Sequence, residues 1–462
     1  MLLFLRLHGI GGIGIVRMSG EECFEILEKI FVPKKKEDIE EIKGYTIKYG
    51  HIVENLEKYE NREIPENAVL DEVLVSYFKE PKSYTTENMC EINTHGGNLV
   101  VKKILELCLK NGAEMAEPGE FTKRAFLNGR IDLLQAESVI DIIDAKSEKE
   151  LRAGMNQLEG RLSRKIHEIK KKIMDVMVNV EVDIDYPEYD LDEVTVSEIE
   201  NMLENVSEDL YCLEKSFEDG KLLKDGVKTA IIGRPNAGKS SLLNCILNED
   251  RAIVTEIEGT TRDTIEEFVT IEGVPLKLID TAGIHEAKDE VERIGISKSK
   301  DAANDADLVI AILDSSRDLS IEDKEILQII KGKKAILVLN KIDLNPVIDE
   351  NIPEIQNSCK YIMKMSTLKQ EGLEKLYKII GNMFSMEEIS VDNANVITNI
   401  RQKNLIHKAY KSCVDAKNSL NMPLDIIAIF LKEILENLSE ITGEIVTDDI
   451  INEIFSKFCL GK

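Results

Sequence analysis

Residues 233–241 read Gly233-Arg234-Pro235-Asn236-Ala237-Gly238-Lys239-Ser240-Ser241, which meets the pattern G-x-x-x-x-G-K-S. Such a loop binds phosphate. Its glycines let backbone N–H groups turn inward around phosphate oxygens, and the helix that follows adds partial positive charge. Lys239 then reaches the β- and γ-phosphates, and the Ser240 hydroxyl ligates Mg²⁺. The flanks fit, because residues 228–232 form a short apolar strand and 242–247 continue as a helix. Downstream, the alternating strand 276–280 opens onto Asp280-Thr281-Ala282-Gly283, where the Asp can hold Mg²⁺ through water and the Gly283 N–H can sense a γ-phosphate. A buried-type strand at 335–339 leads into Asn340-Lys341-Ile342-Asp343. The Asp343 carboxylate can accept from guanine N1–H and the 2-amino group. Adenine lacks that donor pair and would leave the carboxylate unpaired. In this order the three motifs specify GTP.

Position 284 is Ile, where many GTPases place a Gln that orients the attacking water. An isoleucine cannot do this, so hydrolysis needs another device. One candidate is Glu292, in the stretch 289–295, set against the plainer reading of a solvated helix carboxylate. The other is a monovalent cation beside the phosphates, held by Asn236 and the oxygen-rich run Thr255-Glu256-Ile257-Glu258-Gly259-Thr260-Thr261. It would stand where an arginine finger acts in other systems.

These residues resemble the MnmE (TrmE) family of tRNA-modification GTPases, and the resemblance covers nearly the whole chain. Its most specific piece is the ending Cys459-Leu460-Gly461-Lys462, similar to the family's C-x-G-K; 119–129, 132–137 and 258–263 also match. The resemblance implies K⁺ ligands at Asn236, Thr255, Ile257 and Thr260, Mg²⁺ ligands at Ser240 and Thr261, and Glu292 as the catalytic glutamate. It implies GTP contacts throughout 236–241, 255–261 and 280–283 and at Asn340, Lys341 and Asp343. A tetrahydrofolate (5-formyl or methylene) is implied at Arg17, Glu91, Arg130 and Lys462; a pterin edge of N–H donors suits Glu91, and a glutamyl tail suits Arg or Lys. It further implies a cytoplasmic homodimer whose G domains pair across K⁺. With an FAD-dependent MnmG partner, in a heterotetramer, it would place an aminomethyl or carboxymethylaminomethyl group at C5 of the wobble uridine of certain tRNAs. Cys459 is a possible reactive thiol. The chain departs from the family at residues 1–8, at His285, where an Arg is common, and at Ser366-Thr367-Leu368, which replaces a Ser-Ala-Lys/Arg base-contacting loop.

The elements that must position these groups imply a multidomain α+β and α/β fold. Four segments are expected: an N-terminal α/β folate-binding and dimerisation domain over 1–123, a first helical part over 124–221, a Ras-like G domain over 222–386 inserted into the helical domain, and a second helical part over 387–462. Residues 73–78 read as strand and 98–110 as helix. Leu133, Ala136, Val139, Ile140 and Ile143 recur at helical spacing. Ser197 and Glu200 read as a capping box. Gly9 to Gly14 satisfies G-x-G-x-x-G, but an extended run follows, which argues against a dinucleotide site.

The 462 residues carry 86 acidic and 59 basic side chains, for a formal charge of −27. That field repels a polyanion, so RNA contact should be local, through 34–36 or 170–172, or delegated to a partner. The eight cysteines lack C-x-x-C spacing, which indicates neither zinc nor a disulfide framework and suits a reducing cytosol. The apolar start is too short to span a bilayer. The competing readings are a ribosome-assembly GTPase acting as an RNA-binding switch and a folate-binding module without catalysis. The first would be expected to carry a KH-type module or a second G domain.

Overall fold

The computed structural model describes residues 11–35, 44–59, 64–185, 196–247, 267–279, 300–384, 396–458 and 461, with the backbone of 2–5 as well. It forms two compact units, 1–140 with 438–462, and 141–437.

The first unit is built on six strands, β1 (Leu2–Leu5), β2 (Ile13–Ser19), β3 (Phe31–Pro33), β4 (Thr46–Val53), β5 (Val69–Phe78) and β6 (Met89–His95), in the order β1-β2-β6-β5-β4-β3. Every neighbouring pair is antiparallel. The atypical N-terminus therefore still supplies a first strand, with Leu2 opposite Met18. Along β5, Val73, Val75 and Tyr77 are buried while Leu74 points outward, the period-two pattern of a half-covered sheet. The covered face packs on α1 (Cys23–Glu28) and α2 (Asn98–Lys110), whose Phe24, Leu27, Val101 and Ile104 join it in one core. Next come α3 (Glu120–Leu127) and α4 (Leu133–Asp144). On α4, Leu133, Ala136 and Val139 are buried as the spacing predicts, but Ile143 is exposed.

The second unit opens with α5 (Glu148–Leu158), α6 (Arg161–Asp185) and α7 (Val196–Asp225). The expected capping box at Ser197 is not one. Val196 is already helical, so Ser197 lies inside the helix and cannot cap it. Long α7 buries Ile199, Leu203, Val206, Leu210, Leu213, Phe217, Gly220 and Leu223, three or four residues apart, with Met202 beside Leu203, as one stripe.

A sheet then follows: β7 (Val227–Ile232), β8 (Glu267–Ile271), β9 (Val274–Ile279), β10 (Leu308–Asp314), β11 (Ala335–Asn340) and β12 (Tyr361–Lys364), ordered β12-β11-β10-β7-β9-β8. All pairs are parallel except β8 with β9. Helices α8 (Lys239–Leu247), α9 (Ile321–Ile330), α10 (Pro353–Gln356) and α11 (Leu373–Met383) accompany it. Strands β10 and β11 are buried along their whole length, as strands covered on both faces must be. Alternate residues feed two cores: Ile310 and Ile312 meet Leu242 and Leu376 on one face, and Val309 and Ala311 meet Ile326 and Ile330 on the other. Helices α12 (Ile400–Asn418), α13 (Leu424–Thr442) and α14 (Asp448–Ser456) complete the chain. Among the described residues no helix is long and apolar enough to cross a membrane.

A polar knot sits where α5 begins. Ser147 caps the helix by accepting from Glu150 N (3.1 Å), and Glu150 Oε2 accepts from Lys146 N (2.7 Å). The Lys146 ammonium lies 3.4 Å from the centre of the Phe268 ring on β8. Burial pushes the Glu150 carboxyl up to about 7, against the pull of the Lys146 backbone bond and the nearby Lys146 and Lys224 charges. Because this folded value lies above the ordinary 4.5, the group's contribution is fully present below 4.5 and is lost as pH rises through 7. Glu150→Gln keeps an acceptor for Lys146 N but cannot ionise. Its apparent Tm should match wild type near pH ~5 and exceed it near pH ~8, by thermal melts across that range.

Candidate functional site

The phosphate-binding motif lies where a parallel sheet puts ligand sites, at the carboxyl ends of its strands. Strand β7 delivers the loop and α8 leaves it. Asn236 takes φ 59° and Gly238 φ 113°, conformations that turn the intervening backbone inward. The Lys239 ammonium is folded into the loop, donating to Gly233 O (2.8 Å) and Arg234 O (3.0 Å). Burial holds its pKa below the usual lysine range.

Asn340, at the end of β11, locks this loop to the base-recognition segment. Its Nδ2 donates to Ala237 O (2.8 Å) and to Thr367 Oγ1 (3.2 Å), while its Oδ1 accepts from Thr367 N (3.0 Å). Lys341 follows at φ 66° and donates to Asp314 (2.7 Å) at the end of β10. Burial pushes the Asp314 carboxyl up, but the Lys341 ammonium and the Ser316 hydroxyl and N–H outweigh it and hold it below the usual range. The Asp343 carboxylate accepts from Ser366 Oγ at 2.5 Å, and that bond holds its pKa low. Asp343 is therefore an ionised acceptor at neutral pH, the form that a guanine edge requires.

Asn236, Ala237, Gly238, Lys239, Ser240, Ser241, Asn340, Lys341 and Asp343 are thus one cluster. Thr255 to Thr261, Asp280 to Gly283, Ile284, His285 and Glu292 lie outside the described residues. Ser366 and Thr367 carry more than their sequence match promised. A hydroxyl and a backbone N–H do the positioning, and neither needs the usual Ala or Lys beside it.

In the first unit, Arg17 and Glu91 are cross-strand partners on β2 and β6. Arg17 Nε donates to Glu91 Oε1 at 2.8 Å and Nη2 stands 2.6 Å from the same oxygen. Arg17 Nη1 donates to Gly461 O at 3.2 Å, so the C-terminal tail reaches this cluster. Arg130 lies 4.7 Å from the centre of the Tyr84 ring and donates to Tyr84 O (3.1 Å). Arg17 lies 5.9 Å from that ring and 5.4 Å from Phe121. Arg17 and Arg130 therefore flank an aromatic pair that sequence reasoning missed, and Glu91 joins them through Arg17; Lys462 and Cys459 lie outside the described residues.

A phosphate loop on a parallel sheet, with an ionised carboxylate in the guanine-reading position, defines a GTPase of the phosphate-loop class. Residues 6–130 match the family model "GTP-binding protein TrmE N-terminus", and 133–459 match "MnmE helical domain". The tRNA modification GTPase MnmE of Acetivibrio thermocellus is 47% identical over 460 residues, covering 98% of this chain and 97% of that protein. Its counterpart in Thermoanaerobacter pseudethanolicus is 50% identical over 460 residues, with the same coverage of 98% and 97%. Among solved structures, the G domain of the T. maritima FeoB iron transporter is 28% identical, covering 34% of this chain and 98% of its own, with a TM-score of 0.26. The chain belongs to the MnmE family of tRNA modification GTPases.

A Cβ at Gly238 would stand 2.1 Å from Asn340 Nδ2, at a φ that side chains rarely adopt. Gly238→Ala should weaken GTP binding by about tenfold to a hundredfold, read by titration with a fluorescent GTP analogue. Gly332→Ala is the control. It shares a positive φ (+79°) but meets nothing within 4 Å, and it should leave that affinity unchanged.

Proposed function

We propose that the chain is a K⁺-stimulated GTPase that acts with an FAD-dependent, MnmG-type partner on tRNA. The pair adds an aminomethyl or carboxymethylaminomethyl group at C5 of the wobble uridine, at position 34, while GTP is hydrolysed to GDP and phosphate. One observation carries this reading: the match to tRNA modification GTPases runs over 98% of the chain, beyond the GTPase sheet and into the Arg17–Glu91 cluster.

The roles follow from chemistry. Backbone N–H groups of the loop and Lys239 bind the β- and γ-phosphates; phosphate oxygens are stronger acceptors than the Gly233 and Arg234 carbonyls the ammonium now holds. Asp343 selects guanine. Ser240 and Thr261 would hold Mg²⁺, and Asn236, Thr255, Ile257 and Thr260 would hold K⁺. The Asn236 amide oxygen, on a residue already in the left-handed conformation, fits a hard cation's preference for oxygen. With Ile284 unable to orient water, Glu292 would take that role, and a K⁺ held by these residues would supply positive charge beside the phosphates.

The Arg17, Glu91, Tyr84 and Arg130 set fits a reduced folate. It offers a carboxylate for the pterin's N–H edge, a ring to stack on and guanidinium groups for a glutamyl tail. Lys462 would complete it, and a bound folate would supply the one-carbon unit. The domain partition that goes with this reading is 1–123, 124–221, 222–386 and 387–462, in a cytoplasmic homodimer.

Nucleoside mass spectrometry of tRNA from a strain lacking the gene should show wobble uridines without the C5 substituent; unchanged wobble nucleosides would sink the proposal. GTP turnover by the purified protein should be faster in KCl than in NaCl at equal ionic strength. Equal rates in the two salts would remove the cation role given to Asn236.

A further inference from the structure

The phosphate loop has one fixed point more than nucleotide binding requires. Arg234, its second residue, sends its side chain inward to Asp323 on α9, with Nη1 at 3.6 Å from Oδ2 and only 15% and 1% of the two side chains exposed. Asp323 Oδ2 also accepts from Ser320 N (3.0 Å) and Ser320 Oγ (2.8 Å), and Asp323 N donates back to Ser320 Oγ (3.1 Å), which completes the capping box of α9. Asp323 Oδ1 and Arg234 Nη2 are both buried, and neither has a hydrogen-bond partner among the described residues. The unused capacities are complementary: one donor and one acceptor, on two groups that already face each other. Arginine and carboxylate pair best through two parallel bonds, and this pair has made neither at full strength.

Such a contact is a poor stabiliser, because burying two charges costs more than a 3.6 Å ion pair returns. Its position points to another use. The Arg234 backbone is the hub of the loop, its carbonyl accepting from Lys239 Nζ (3.0 Å) and Ala237 N (3.3 Å). Asn236, with its strained φ of 59°, is two residues on. At the other end, α9 is fixed to the sheet through Ile326, Leu327 and Ile330. We propose that Arg234 is a positioning residue. Its tether to Asp323 holds the outer half of the phosphate loop in its nucleotide-binding shape, closes to a two-bond contact when the loop grips phosphate, and sets how long GDP is retained. The inference rests on the chain being a GTPase and not on its tRNA chemistry or its response to K⁺.

The test is stopped-flow release of fluorescent mant-GDP from the full-length protein, with thermal melts of each nucleotide-free variant. Asp323→Asn and Arg234→Gln should each speed release about tenfold, the effect of losing one charge-assisted bond. Arg234→Lys, which keeps the charge without the fork, should fall between them and wild type. The double variant should be no faster than the faster single, as expected for partners in one contact. Ser147→Ala is the structural control: it should lower the apparent Tm by removing the cap of α5, which touches neither Arg234 nor Asp323, and leave release within about twofold of wild type. Should Asp323→Asn fail to fold, the two Arg234 variants and the control decide. Release within about twofold of wild type in Arg234→Gln overturns the proposal. So does an equal acceleration in Ser147→Ala, or additive effects in the double variant.

Discussion

The nucleotide site is organised around one buried amide. Asn340 spends its donors on Ala237 O and Thr367 Oγ1 and its acceptor on Thr367 N, joining the phosphate loop, the end of β11 and the base-reading segment. Truncating it would leave the Ala237 carbonyl and the Thr367 N–H unpaired in the interior, about 1–3 kcal/mol for each. The contact also explains Gly238, because no Cβ fits in front of the amide. The motif's glycine and the Asn of the base-reading motif, a hundred residues apart in sequence, are thus two sides of one packing constraint. Recognition of phosphate and recognition of base cannot be altered independently across it.

The first unit has an equivalent constraint of a different kind. Arg17 and Glu91 are brought together by the antiparallel register of β2 and β6, and both contacts from the guanidinium fall on Oε1. The same guanidinium also holds Gly461 O, so the two ends of the chain meet at one arginine. A ligand seated on Glu91 must share that carboxylate with Arg17, and the tail that Arg17 holds then lies beside the ligand. The short, charge-assisted pair keeps the carboxylate oriented before anything binds.

Much of this was legible in the sequence, and the failures share a cause. The phosphate loop, Asn340 to Asp343 and the 98–110 helix are local patterns, and each stands where the pattern put it. Ser197 was misread because a Ser-x-x-Glu pair looks the same at the start of a helix and inside one. The difference is whether the preceding residue is already helical. Tyr84 gave no signal, since its importance comes from two arginines 67 and 46 residues away, at 17 and 130. Arg234 to Asp323 is the same case: one lies in a recognised motif, the other in an ordinary helix turn, and only the tertiary fold pairs them. The basic run at 170–172 read more readily as a solvated face than as an RNA contact. Lys172 of the 170–172 run donates to Asp209 at 3.0 Å, together with Lys165 at 2.7 Å. Burial alone would raise that carboxyl, but the two ammonium groups hold it low. A cation committed in this way is less free to meet a polyanion than its place in a basic run implies.

How tightly the helices are tied to the nucleotide sheet follows from one short junction. Helix α7 ends at Asp225 and β7 begins at Val227, leaving only Gly226, at φ 71°, between the helix and the strand that carries the phosphate loop. A Cβ at Gly226 would meet Pro275 O of β9 at 3.1 Å, so the junction is packed as well as short. The returning chain clamps the same helix. Ile397 O lies where a Cβ of Gly220 would be, at 2.0 Å, and Ile397 N donates to Ser216 Oγ. Asp141 then takes Lys224 of α7 at 2.6 Å and Thr398 of the returning segment at 2.9 Å. A displacement of β7 therefore meets no slack loop in which to dissipate. It must move the end of α7 or break the Asp141 contacts, and interiors packed this closely pass strain on instead of absorbing it.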